Sequence, residues 1–134
     1  MQKAIFFLTI IFLTNLVGMY FDTYSLWWFD MSLHFLGGFF MAMLMVHYLS
    51  DNPYSIFHIS YPKLKQYLII VGAVSFIGVV WEFAEYLASL TLIDPIYEHF
   101  KIRAYFIGDL DDTMNDLLMD ITGALTWLVT HRKK

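Results

Sequence analysis

Six carboxylates and one histidine in this chain have the spacing to build a single site. Asp112, Asp116 and Asp120 recur at i,i+4 in GDLDDTMNDLLMDITGA (108–124), so on a helix their side chains share one face. Asp30-x-x-x-His34 places a carboxylate and an imidazole one turn apart, and Glu82 and Glu85 are one turn apart in WEFAE. Oxygen and imidazole donors of this kind suit a divalent cation, with Zn, Mn, Fe and Mg all compatible with one histidine among carboxylates. A glutamate beside such an ion can take a proton from an attacking water.

Each of these motifs adjoins an apolar run, so the elements that position them are membrane helices. The 134 residues are 59% hydrophobic and 19% aromatic, with a mean hydropathy of +0.59. These values exceed those of an ordinary soluble domain and imply an all-α, polytopic membrane protein. Four runs of spanning length predict a bundle of four transmembrane helices at about 4–21, 31–50, 67–90 and 113–130, forming one membrane-embedded domain. The N-terminal run lacks an A-x-A-like cleavage site and reads as a retained helix. The net charge of −4 argues against a nucleic-acid partner, and the absence of cysteine excludes disulfides and thiolate chemistry.

Several finer expectations follow. Asn15, in the first run, reads as an interhelical hydrogen-bonding residue. Trp27 and Trp28 read as interfacial belt residues. Asp30 and Asp112 stand where helix N-caps belong. Gly38 and Ala42 in the second run, and Gly72 and Ser75 in the third, read as close-packing positions. Segment 54–61 reads as interfacial, and 91–107 as a loop.

The basic residues set the orientation. Lys3, Lys63, Lys65, Arg132, Lys133 and Lys134 fall on one side, while the other holds Asp22, Asp30, Asp94, Glu98, Asp109, Asp111 and Asp112 against only Lys101 and Arg103. Both termini are therefore expected to be cytoplasmic, in a cell (inner) membrane. This topology brings Asp30, His34, Glu82, Glu85, Asp116 and Asp120 into one layer, from the surface to about 12 Å deep. So many charges in one dry layer require raised carboxyl pKa values, Lys101 or Arg103 as counter-ions, or bound cations.

HFLGG (34–38), WEFAEY (81–86) and 108–124 resemble uncharacterised bacterial inner-membrane proteins of the YjdF type. A weaker similarity is to VanZ-like membrane proteins, which also carry an Asp-x-x-x-His element and a later acidic motif ending in glycine. The YjdF-type resemblance implies a helical membrane fold and brings no reaction or catalytic residue with it. The additional helices pictured in many members make this chain resemble a minimal version, working alone or as a homo-oligomer.

The leading functional reading is a divalent-metal site in the outer leaflet, hydrolytic towards a lipid or lipid-linked substrate. His34, Asp116 and Asp120, with Asp112 and Asp30, are its metal ligands, and Glu82 or Glu85 is a further ligand or the general base. Two alternatives stand beside it: an ion- or proton-translocating module using the same carboxylates, and a non-catalytic assembly subunit.

Overall fold

A computed structural model of the chain describes residues 1–50 and 63–131. These residues are all-α. Five helices follow one another: α1 (Gln2–Tyr20), α2 (Trp27–Ser50), α3 (Lys63–Thr91), α4 (Ile93–Phe100) and α5 (Leu110–Thr130), with a 3₁₀ turn at Thr23–Ser25 between α1 and α2. Gln2–Tyr20, Trp27–Leu49 and Lys63–Thr91 are long and apolar enough to cross a membrane. The expected interfacial segment 54–61 and the basic residues 132–134 lie outside the described residues.

α2 is the central helix and packs against α1, α3 and α5. Phe7 stacks on Phe40 at a centroid separation of 4.4 Å, and Gly18 abuts the Phe29 ring, so α1 and α2 run antiparallel. His34 meets Asp120, and Phe39 meets the ring of His131, so α2 and α5 run parallel. The Tyr67 hydroxyl donates to the Leu128 carbonyl at 3.3 Å while Gly78 meets Asp120, so α3 and α5 are antiparallel.

The closest packing lies between α2 and α5. A Cβ added at Gly38 would collide with the Asp120 backbone, and one added at Gly123 would collide with the Phe35 carbonyl. Two glycines, one per helix, thus let the backbones touch. Ala42 is fully buried beside them, as its small-residue spacing predicts. The small-residue expectation for α3 is corrected. Gly72 is exposed with nothing near its Cβ position, and Ser75 bonds back to Val71 within its own helix. The close contact on α3 is made by Gly78, one turn from Glu82 on the same row.

Burial is inverted relative to a soluble protein. Phe6, Leu13, Phe76, Phe83 and Val129 point outward, while Asn15, His34, Glu82, Glu85, Asp116 and Asp120 are buried. Hydrocarbon tolerates the first set, and the bundle interior shelters the second. Ala42, Ile70, Val74, Ala124, Trp127 and Leu128 form an apolar core at the opposite end of the bundle from the carboxylates.

Three local expectations are corrected. α2 starts at Trp27, so Asp30 lies in its first turn and is not an N-cap. Asp109 caps α5, accepting from the Asp112 backbone N–H at 3.1 Å, so Asp112 lies inside the helix. The 91–107 loop contains α4, which Lys101 ends in a left-handed conformation with φ of 58°. Pro95 is compatible with α4 because it falls in the first turn, where the N–H has no intrahelical acceptor.

Candidate metal centre

Asp30 and His34 of α2, Asp116 and Asp120 of α5, and Glu82 and Glu85 of α3 all face the same interior space. Asp30, His34 and Asp116 each offer a donor atom within 4.8 Å of the others, and so do His34, Glu82 and Glu85. The two triads share His34. Asp120 joins them through the imidazole, with its Oδ2 at 3.5 Å from His34 Nδ1. All six residues converge, from three helices.

The geometry around His34 fixes what the site lacks. With Nδ1–H donating towards Asp120, the Nε2 lone pair faces Asp30 Oδ1 at 3.8 Å and Glu82 Oε1 at 3.9 Å. These separations are too long for hydrogen bonds and short enough for one cation to touch both atoms. Asp30 Oδ1, Glu82 Oε1 and Asp116 Oδ1 are all buried without a hydrogen-bond partner. Three buried acceptors without partners thus gather close to one imidazole, an arrangement that either a proton or a cation would satisfy.

The counter-ions expected from sequence do not satisfy it. Lys101 lies over the Tyr97 ring, 5.5 Å from its centroid, and among the described residues neither Lys101 nor Arg103 pairs with the cluster. Of the three remedies, lysine or arginine pairing is thus removed.

Space for Asp120 comes from glycine. A Cβ at Gly78 would strike its carboxylate, and one at Gly37 would sit 4.0 Å from Oδ1. The carboxylate therefore occupies a slot that a side chain at Gly78 on α3 would close. Asp112 is placed differently from the other carboxylates. It lines a separate cleft of about 440 Å³ at the helix ends, with Asp22, Tyr24 and Asp109, and belongs to neither triad.

Two residues gave no functional signal in the sequence. Tyr24 follows α1 in the short turn, and its hydroxyl is buried without a partner. Burial, with the charges of Asp30, Glu85 and Asp116 adding to it, pushes the phenol far above the usual tyrosine range. Its position depends on the turn at Asp22, whose φ of 56° no local pattern announces. Asn15 is buried, but the expected interhelical hydrogen bond is absent among the described residues. It lines instead a cleft between α1 and α3 that reaches His34 and Asp120.

An apolar exterior around a buried carboxylate–imidazole cluster defines an integral membrane protein with a buried polar cluster in its helical bundle. The chain belongs to the family described as "Predicted membrane protein (DUF2238)", which matches residues 2–133. It is similar to a Thermotoga maritima protein described as uncharacterized, with 31% identity over 126 residues. That match covers 92% of this chain and 59% of the relative, so the chain spans little more than half the relative's length. No solved structure matches the chain.

Proposed function

We propose that this protein holds a divalent metal ion in its carboxylate–imidazole cluster and serves hydrolysis of a lipid or lipid-linked substrate at the membrane. The observation that carries the reading is the set of orphaned oxygens of Asp30, Glu82 and Asp116 around the free side of His34. In this reading Asp30, His34 Nε2 and Asp116 are the ligands. Zn, Mn, Fe and Mg all accept such donors.

Asp120 holds the other imidazole nitrogen, as carboxylates behind metal-bound histidines do. This gives Asp120 an orienting role where the sequence reading made it a ligand, and Asp112 a place in the acidic approach. A bound divalent cation supplies Lewis acidity and acidifies water. Glu82 and Glu85 remain beside the Asp30–His34–Asp116 triad as proton acceptors, the base role expected of them from sequence. The Tyr24 phenol stays protonated and is available as a hydrogen-bond donor at the mouth. The motifs in which this chain resembles YjdF-type proteins contain His34, Glu82, Glu85, Asp116 and Asp120, so that resemblance rests on residues of the cluster.

The topology belongs to the same proposal. α5 packs along α2 and α3, which supports it as a fourth membrane-crossing segment, with both termini cytoplasmic and the cluster in the outer leaflet. Ion or proton translocation has less support. Beyond Asp120 the interior continues as Ala42, Val74, Ala124 and Trp127, and among the described residues no further carboxylate is buried there to carry a path onward.

Elemental analysis of the purified protein tests the reading. Near-stoichiometric divalent metal in the parent protein, lost in Asp116→Asn and in Asp30→Asn, supports it. A parent protein that takes up no Zn, Mn, Fe or Mg overturns it.

A further inference from the structure

A cleft of about 230 Å³ enters the bundle between α1 and α3 and ends on the cluster. Its walls are almost wholly apolar, contributed by Leu8 and Ile11 of α1, Met41 of α2, and Val74 and Ile77 of α3. Its polar groups gather at one end, where Asn15, Asp30, His34 and Asp120 lie. Among the described residues, α1 and α3 have no close backbone approach. They meet through the Phe12 and Trp81 rings, whose centroids are 6.3 Å apart. The cleft therefore faces the bilayer sideways.

Its polarity has a direction. Asn15 lies five residues before the end of α1 and His34 seven residues after the start of α2, so both are roughly 8–11 Å from the same end of the bundle. Leu8 and Met41 are twelve and fourteen residues from that end, roughly 18–21 Å along the helices. The cleft thus runs from a polar site near one membrane surface to an apolar end near the bilayer centre. A lipid of that leaflet has the same order, with its polar linkage outside and its chain inside.

We propose that this cleft binds one acyl chain of an ester-linked membrane lipid, with the Asn15 amide donating a hydrogen bond to the ester carbonyl beside His34. The inference rests on the hydrolytic reading for its purpose and on the cleft for its ligand. Three observations favour an acyl lipid. The volume exceeds the roughly 150 Å³ that accommodates benzene in an apolar protein cavity, so a chain segment fits. Water gains little from such walls, whereas hydrocarbon is the medium on the open side. Asn15, 6% exposed, has no hydrogen-bond partner among the described residues, and it lines the cleft, where its amide can meet a ligand. A carbonyl arriving at the head of an acyl chain would supply that partner.

The test reconstitutes the full chain in phosphatidylcholine–phosphatidylglycerol vesicles containing a phosphatidylcholine with a diazirine on one acyl chain. After irradiation, labelled residues are mapped by mass spectrometry. Labelling of Leu8, Ile11 and Met41 several-fold above that of Phe6 and Phe76, which face outward, supports the cleft. Ile11→Trp should then remove the labels at Leu8 and Met41 and leave Phe76 unchanged. Leu8→Phe serves the same purpose if Ile11→Trp fails to fold. Asn15→Leu should lower cleft labelling, and Asn15→Gln should retain it. Uniform labelling of all apolar faces, or cleft labelling indifferent to both filling variants, overturns the proposal. Metal content measured on the same samples separates the two readings. Cleft labelling without metal upholds the acyl site and rejects the metal reading, whereas metal with uniform labelling does the reverse.

Discussion

Asp120 on α5 approaches His34 on α2 from the Nδ1 side at 3.5 Å, leaving Nε2 turned towards Asp30 and Glu82. Two parallel helices thus aim one nitrogen. If Asp120 orients and Asp116 ligates, their variants should differ in degree. Asp120→Asn should weaken metal binding by about 10–100-fold, the usual effect of losing an outer carboxylate, while Asp116→Asn abolishes it. Competition with a chromogenic chelator measures both. Equal losses would make Asp120 a ligand itself.

Metal and folding should be linked. An ion present at about 100 times its dissociation constant stabilises the fold by about 2.7 kcal/mol. Chelation should therefore lower the melting temperature in detergent, and readdition should restore it. In metal-free protein, Asp116→Asn should raise that temperature, because it relieves repulsion among clustered carboxylates.

The α2–α5 backbone contact makes a contrast between glycines. Gly38→Leu and Gly123→Leu should each destabilise the bundle by about 1–3 kcal/mol, since neither backbone can retreat. Gly72→Leu, with nothing near its Cβ position, should leave thermal stability nearly unchanged. Melting in detergent compares the three.

Tyr24 should titrate above the usual tyrosine range. Its raised phenol pKa means that the folded state keeps a proton which the unfolded chain releases near pH 10. Stability from this group is constant below about pH 10 and falls as pH rises further. Tyr24→Phe should remove that part of the alkaline loss, visible as a flatter melting temperature above pH 10.

Orientation can be read with reporters. A fusion after Lys134 should behave as cytoplasmic, and one within α4 as external. A C-terminus on the outer side would move the whole cluster to the opposite leaflet.

The convergence of Asp30, His34, Glu82, Glu85, Asp116 and Asp120 was legible because i,i+4 spacing fixes a helix face and alternating helix direction fixes depth. α4 was not legible, because Asp94-Pro95 reads as a turn although proline is harmless in a first helical turn. The error at Gly72 has a geometric cause. It lies ten residues from Glu82, about 80° around the helix, whereas Gly78 is only about 40° away. Asn15 and Tyr24 owe their roles to neighbours on other elements, which no local pattern encodes.

The glycine contact between α2 and α5 bears on how the protein is made. α5 carries Asp111, Asp112, Asp116 and Asp120 and is not apolar enough to be a candidate membrane span alone. A carboxylate near mid-membrane costs roughly 3 kcal/mol on insertion scales, so an isolated α5 would resist entering the bilayer. By the time the ribosome delivers it, α2 and α3 have already been synthesised. His34 and the Gly37–Gly38 surface can then receive Asp120 as the helix enters. In the proposed topology, biogenesis is therefore ordered: the earlier helices act as an intramolecular insertion template, and a defect at Gly38 should appear first as a failure of α5 to integrate.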